Sequence, residues 1–181
     1  MAEQNKNKIT NEALVEAIKA MRENFNNDTQ NKVINTALRC TFLVPAIVQK
    51  NTELVADANN HVKFQDKQTA KFVLINHKER GSFFPVFTDA EELELLRGKT
   101  QDDFRPFAMK FGDIAGLTEN TPQVNGFVVN PFDQNLPFTK EMLASIKQTL
   151  IKFKQDKDAA AKAEQEAAAA PDISVSTNEE N

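Results

Sequence analysis

Two histidines, one cysteine and a run of carboxylates are the residues of this chain whose types could do chemistry. A metal pair built on His61 and His77 would need further ligands nearby. No Cys or second His lies at ligand spacing, and each histidine sits in a polar, loop-like stretch that reads as a solvated imidazole. Cys40 could be imagined as a nucleophile with either histidine as its base. It opens the apolar run Thr41-Phe42-Leu43-Val44, however, and reads as a buried small hydrophobe rather than an activated thiol. As the only cysteine it forms no intrachain disulfide. Asp89, Glu91, Glu92 and Glu94 fall in the first turns of a helix, where negative charge complements the helix dipole, so folding alone accounts for them. The five glycines, at 81, 98, 112, 116 and 126, build no phosphate loop, and neither a Gly-x-Ser-x-Gly elbow nor a His-Glu-x-x-His helix occurs. No catalytic residue, metal or cofactor is expected.

The elements that position these residues are more informative. A strand–stop–helix phrase occurs twice. Ser82 to Phe87 is an apolar run that ends at Thr88, and Glu91 three residues on completes a capping box for a helix carrying Leu93 and Leu96, closed by Gly98. Gly126 to Asn130 is the second strand. It is followed by Pro131, a short loop and Thr139 as the cap of a last helix with the stripe Met142/Leu143, Ile146, Leu150 and Phe153. Burial of four such side chains is worth about 1.5–3 kcal/mol each before entropy, so this helix is expected to dock on the sheet.

Earlier in the chain, Thr10 is the expected cap of a helix with Leu14, Ala17, Ile18, Met21 and Phe25 on one stripe. Asp28 or Thr29 caps a second helix with Val33, Ala37 and Leu38, giving a hairpin or a bent pair. Cys40 to Val48 reads as a doubly buried strand in which Pro45 marks a bulge, an edge or the end. Glu53 to Val55 and His61 to Phe64 are short strand candidates around an Asn59-Asn60 turn. Lys71 to Asn76 and Ser82 to Phe87 form a β-hairpin across His77-Lys78-Glu79-Arg80-Gly81. Arg105 to Phe111 is a strand and Asp113 to Leu117 a short helical turn. The order predicts an α/β fold bordering on α+β: a mixed sheet of about five to six strands flanked by helices, with an N-terminal helix pair and a long C-terminal helix.

Length and composition set the rest. The 181 residues suit one domain, expected over 10–155, after a disordered 1–9 and before an Ala-rich acidic tail at 156–181 that is partly helical and then disordered. Eight of the twelve residues Ala159 to Ala170 are Ala, so helix is favoured there by propensity until Pro171. From residue 152 onward four Lys face seven Asp or Glu, so the tail carries most of the net charge of −4. Lys and Arg are scattered, which argues against a nucleic-acid partner. A polar N-terminus without an h-region, and no apolar run near the roughly 18 residues that span a bilayer, make the cytoplasm the expected location and membranes an unexpected partner. All 14 aromatic residues are Phe; the aromatics that dominate binding hot spots with a polar handle, Trp and Tyr, are absent.

With Phe42-Leu43-Val44-Pro45-Ala46, the two phrases Pro85-Val86-Phe87-Thr88-Asp89-Ala90-Glu91 and Val128-Val129-Asn130-Pro131 resemble, in order and spacing, the N-terminal domain of the SseB-type proteins, named for enhanced serine sensitivity. The resemblance covers roughly residues 30–150. It implies a cytosolic bacterial α/β domain with no assigned catalytic activity, no agreed active site and so no functional residues to carry over. Longer members have a second, C-terminal domain, where this sequence has its acidic tail.

If strands 82–87 and 126–130 run parallel, their carboxyl ends share one sheet edge, the edge that open α/β sheets offer to ligands. That edge presents Thr88, Asp89, Asn130, Pro131, Phe132, Asp133 and Phe138. Phe132 and Phe138 are either staples for the last helix or an exposed patch for a partner. Asp89 and Asp133 make the edge acidic, which favours a basic or peptide partner over a phosphate. The expected function is a non-catalytic, protein-binding or regulatory module. A small-ligand binder or enzyme at the edge near residues 88 and 130 is the alternative, and the oligomeric state is open because the hairpin leaves an edge strand free to pair.

Overall fold

The computed structural model describes residues 9–56 and 62–168. In chain order the elements are α1 (Glu12–Glu23), α2 (Asn27–Ala37), β1 (Thr41–Ala56), β2 (Val62–Phe72), β3 (Ile75–His77), β4 (Gly81–Val86), α3 (Ala90–Arg97), β5 (Arg105–Lys110), α4 (Phe111–Glu119), β6 (Val124–Val129), β7 (Leu136–Thr139) and α5 (Lys140–Ala168). The α/β class, the N-terminal helix pair and the long C-terminal helix are as the sequence predicts. Among the described residues seven strands form two sheets rather than one. Strands β2-β1-β5 are antiparallel throughout, and in β3-β4-β6-β7 the pair β4/β6 is parallel.

Prolines mark the seam between the sheets. Leu43 and Phe87 exchange both backbone hydrogen bonds at 2.9 Å, so β1 carries the end of β4 where β2 has stopped. Pro45 is therefore neither at an edge nor at a strand end, but inside the central strand of its sheet. Its carbonyl accepts from Val73 N–H at 3.0 Å, on the side away from β5. Across β5 it faces Pro106 in a pair that exchanges no hydrogen bonds, so neither missing N–H breaks the ladder. Pro85 lies past the last β3 pairing, on the β4 side where no strand demands a donor.

Local differences from the sequence reading have local causes. Thr10 does not cap α1. Asn11 stands at the N-cap and sends its amide to Thr41 O and Thr88 O, both at 2.9 Å. Asn26, not Asp28 or Thr29, caps α2: its side chain accepts from Thr29 N–H while Thr29 Oγ1 accepts from Asn26 N–H. Phe25 falls beyond the end of α1 and is 73% exposed. The two weak strand candidates are parts of β1 and β2, paired from Ala46↔Phe72 to Ala56↔Val62, and the Asn59-Asn60 turn, with His61, lies outside the described residues. The 71–76 strand is split: Lys71 and Phe72 pair with β1, while Ile75 to His77 pair with β4 as the predicted hairpin. Phe111 begins α4, which is longer than the predicted turn. Leu136 to Thr139 is an unpredicted strand on an edge, where Pro137 is tolerated.

The core is phenylalanine-rich. Phe111, Phe127 and Phe138 meet at centroid distances of 5.1–5.3 Å, two pairs edge-on and one stacked. A second cluster joins Phe87, Leu93, Leu96 and Phe104, with Leu43, Ile47, Val73 and Phe132 packed against it. Without hydroxyls or indole N–H groups, none of these rings needs a buried polar partner.

The chain divides into two units, one through Lys140 and one from Glu141. The second is α5, which continues through the alanine-rich stretch to Ala168. Leu150 and Phe153 are 48% and 71% exposed, so the distal part of the expected docking stripe is not buried.

Candidate functional site

Strands β4 and β6 are neighbours and parallel, with Val86 opposite Val129, so their carboxyl ends do share one edge. The chain leaves β6 through Asn130, whose φ of 45° is in the left-handed region that asparagine tolerates better than most residues. Asn130 is fully buried, and its polar atoms are used. Its N–H donates to Val86 O at 2.9 Å, its Oδ1 accepts from Thr88 N–H at 3.0 Å, and its Nδ2 donates to Thr88 Oγ1 at 2.8 Å and to Gln134 Oε1. Its carbonyl accepts from Asp133 N–H and Asn135 N–H, which wraps the 130–135 loop over it. Thr88 is also fully buried, and Gln134 nearly so.

Thr88 does not cap α3. That role falls to Asp89, whose Oδ1 accepts from Glu92 N–H at 2.9 Å and whose Oδ2 accepts from the Thr88 hydroxyl at 2.8 Å. Asp133 ends the network, its carboxylate accepting from Gln134 Nε2. Glu92 is the electrostatic outlier. Burial first, then the charges of Asp133 and Asp89, a hydrogen bond with Asp133 and the charge of Glu91, push its carboxyl above the ordinary range, and its Oε2 is buried with no hydrogen-bond partner. A cleft of about 460 Å³ collects Asp89, Glu92 and Asp133 against Glu12, Glu16 and Lys19 of α1, five carboxylates to one ammonium. Chemically this is an anionic recess suited to cationic groups. Among the described residues no three His, Cys, Asp or Glu side chains are grouped to hold a metal ion.

Of the residues singled out in the sequence, Thr88, Asp89, Asn130 and Asp133 come together. The two phenylalanines separate. Phe138 lies on β7 and is 1% exposed, inside the Phe111–Phe127 cluster. Phe132 is partly buried, stacked on Phe87 at 6.4 Å with Lys99 Nζ 5.1 Å above its ring. The fully buried Phe138 is therefore not part of an exposed patch. Cys40 and His77 do not engage each other. The buried Cys40 thiol donates to Thr36 O at 3.2 Å and is pushed up in pKa by burial, while His77 Nδ1 accepts from backbone N–H groups of its own turn. Sequence reasoning missed Gln134 and the α1 carboxylates. Nothing in a polar loop distinguishes a glutamine that will be buried from one that will not.

A family model described as the SseB protein N-terminal domain matches residues 14–145. No curated protein and no solved structure matches the chain.

Proposed function

Since the chain belongs to the SseB protein N-terminal domain family, we propose that it is a non-catalytic, cytoplasmic protein-binding module that receives a basic segment of a partner at the acidic strand-end cleft. The observation carrying this reading is a division of labour at the edge. Thr88, Asn130 and Gln134 bond one another, and two of them each hold a carboxylate, Thr88 that of Asp89 and Gln134 that of Asp133. These converge with Glu92 with too little positive charge to balance them. An ammonium or guanidinium entering the cleft would offset the burial and, after it, the carboxylate repulsion that hold the Glu92 carboxyl up. The same charges disfavour a phosphate-bearing ligand.

The test is an NMR titration of the full chain with Lys/Arg-rich peptides. Shifts centred on Glu12, Glu16, Glu92 and Asp133, weakened by salt and by Asp133→Asn, support the reading. Absence of such shifts counts against it. So does a metabolite that stabilises the protein by about 2.7 kcal/mol at 100 times its dissociation constant, since that would indicate a small-ligand site or an enzyme.

A further inference from the structure

A second recess lies on one face of the β3-β4-β6-β7 sheet, sharing with the acidic cleft only the 131–135 loop, whose Pro131, Phe132 and Asn135 line the one and Asp133 and Gln134 the other, and its chemistry is of the opposite kind. It encloses about 420 Å³. Pairing of Ile75 with Phe83, of Phe83 with Gly126 and of Val128 with Pro137 sets Ile75, Phe83, Val128 and Pro137 on a common face, with Phe132 closing one side. The floor is thus apolar.

The rim presents donors. Nδ1 of His77 accepts from Glu79 N–H at 3.2 Å and from Arg80 N–H at 3.3 Å, which leaves Nε2 as its donor. Asn76, paired with Ser82 and bonded to its hydroxyl at 2.6 Å, turns its side chain to the opposite face, so the rim donors are His77 and Arg80. Among the described residues no hydrogen bond or ion pair engages the exposed Arg80 guanidinium.

This rim is also held in place. Asn125 Nδ2 donates to Arg80 O at 2.6 Å. The turn closes through Gly81 at φ +81°, where a Cβ would meet Asn125 Nδ2 at 2.5 Å. A turn fixed in this way loses little freedom on binding. Edge strand β3 has β4 as its only partner among the described residues, so its other side is unpaired.

We propose that this recess is a second docking site, for an extended segment of a partner protein that sets apolar side chains on the sheet face and a carboxylate against Arg80 and His77. With Arg80 as its one charged side chain and no acidic residue in its lining, the rim selects a carboxylate. The apolar floor selects its neighbours, and the free β3 edge suits an extended backbone. The charge requirement is the reverse of that at the acidic cleft, so an acidic probe tests this site and a basic one the other.

The probe is a fluorescein-labelled peptide of alternating Glu and Leu, added to the full chain and followed by anisotropy and by amide shifts. Expected are shifts at Ile75, His77, Phe83 and Val128, with binding weakened about tenfold or more by Arg80→Ala or by replacing each Glu of the peptide with Gln. Arg39→Ala, a substitution outside the recess, should leave binding unchanged, and both variants should melt like the parent. Four results overturn the proposal: no binding, shifts confined elsewhere, equal binding of the Gln peptide, or equal binding by Arg80→Ala. Competition by hexanoate at the affinity of the peptide would make the recess a small-carboxylate pocket. Self-association that excludes the peptide would make it a homodimer face. Either outcome also overturns the proposal.

Discussion

Replacing Asn130 by Ala tests whether the sheet edge is held by one side chain. The substitution deletes the acceptor of Thr88 N–H and the donor to Thr88 Oγ1 and Gln134 Oε1, all within groups that are fully or almost fully buried. A buried polar group left unsatisfied costs about 1–3 kcal/mol, and two are created, on Thr88 N–H and the Gln134 amide oxygen. Alanine must also adopt φ of 45°, at a cost of about 1–2 kcal/mol. The expected loss is about 3–8 kcal/mol, a large share of the roughly 5–15 kcal/mol that holds a domain folded. Asn130→Gly removes the same hydrogen bonds without the backbone cost, so it should be milder than Ala by about 1–2 kcal/mol. With neither Trp nor Tyr in the chain, urea unfolding is best followed by circular dichroism. At a slope of about 2 kcal/mol per molar, Ala should lower the midpoint by about 1.5–4 M. A shift below about 0.5 M, or a Gly variant as unstable as the Ala variant, would refute the reasoning.

Three further outcomes follow from single contacts. Gly126→Ala places a Cβ 2.2 Å from Phe138 O, so β6 and β7 must separate; a loss of about 3 kcal/mol or more, measured by the same unfolding, is expected. Because the Glu92 carboxyl is raised in the folded chain, its ionised form opposes folding at neutral pH, and this cost shrinks as pH falls toward the ordinary carboxylate range. Glu92→Gln should therefore be more stable than the parent near neutrality, with the gap closing on acidification; a gap that is constant with pH contradicts the assignment. Cys40, buried and raised in pKa, should resist a thiol reagent in the folded protein and react at once in urea, and fast labelling of the native chain would show the site open.

Much of the edge was legible because its signals are local. Apolar runs broken at Thr88 and Asn130 marked two strand ends, and the acidic residues after Thr88 marked a helix start. What was misread depended on distant partners. Thr88 resembles an N-cap in sequence. Asn130, 42 residues away, claims its N–H, and Asp89 takes the cap. Glu92 reads as a dipole-complementing carboxylate until Asp133 arrives beside it from another loop. Strand β7 was invisible because four residues containing a proline form a strand only when β6 supplies the partner. Phe132 and Phe138 look alike on either side of one loop, yet only Phe138 meets Phe111 and Phe127 in the core.

The sequence by itself determined the fold class, the family, the two strand ends that form the edge and the acidic character of that edge, because periodicity, caps and charge are properties of neighbouring residues. Tertiary structure alone decided that the edge polar groups satisfy one another, that α1 carboxylates close the acidic cleft, and that Arg80 and His77 rim an apolar recess. Each of these depends on pairing between residues far apart in the chain. Such pairing is fixed by the shared burial of whole faces, not by any local preference.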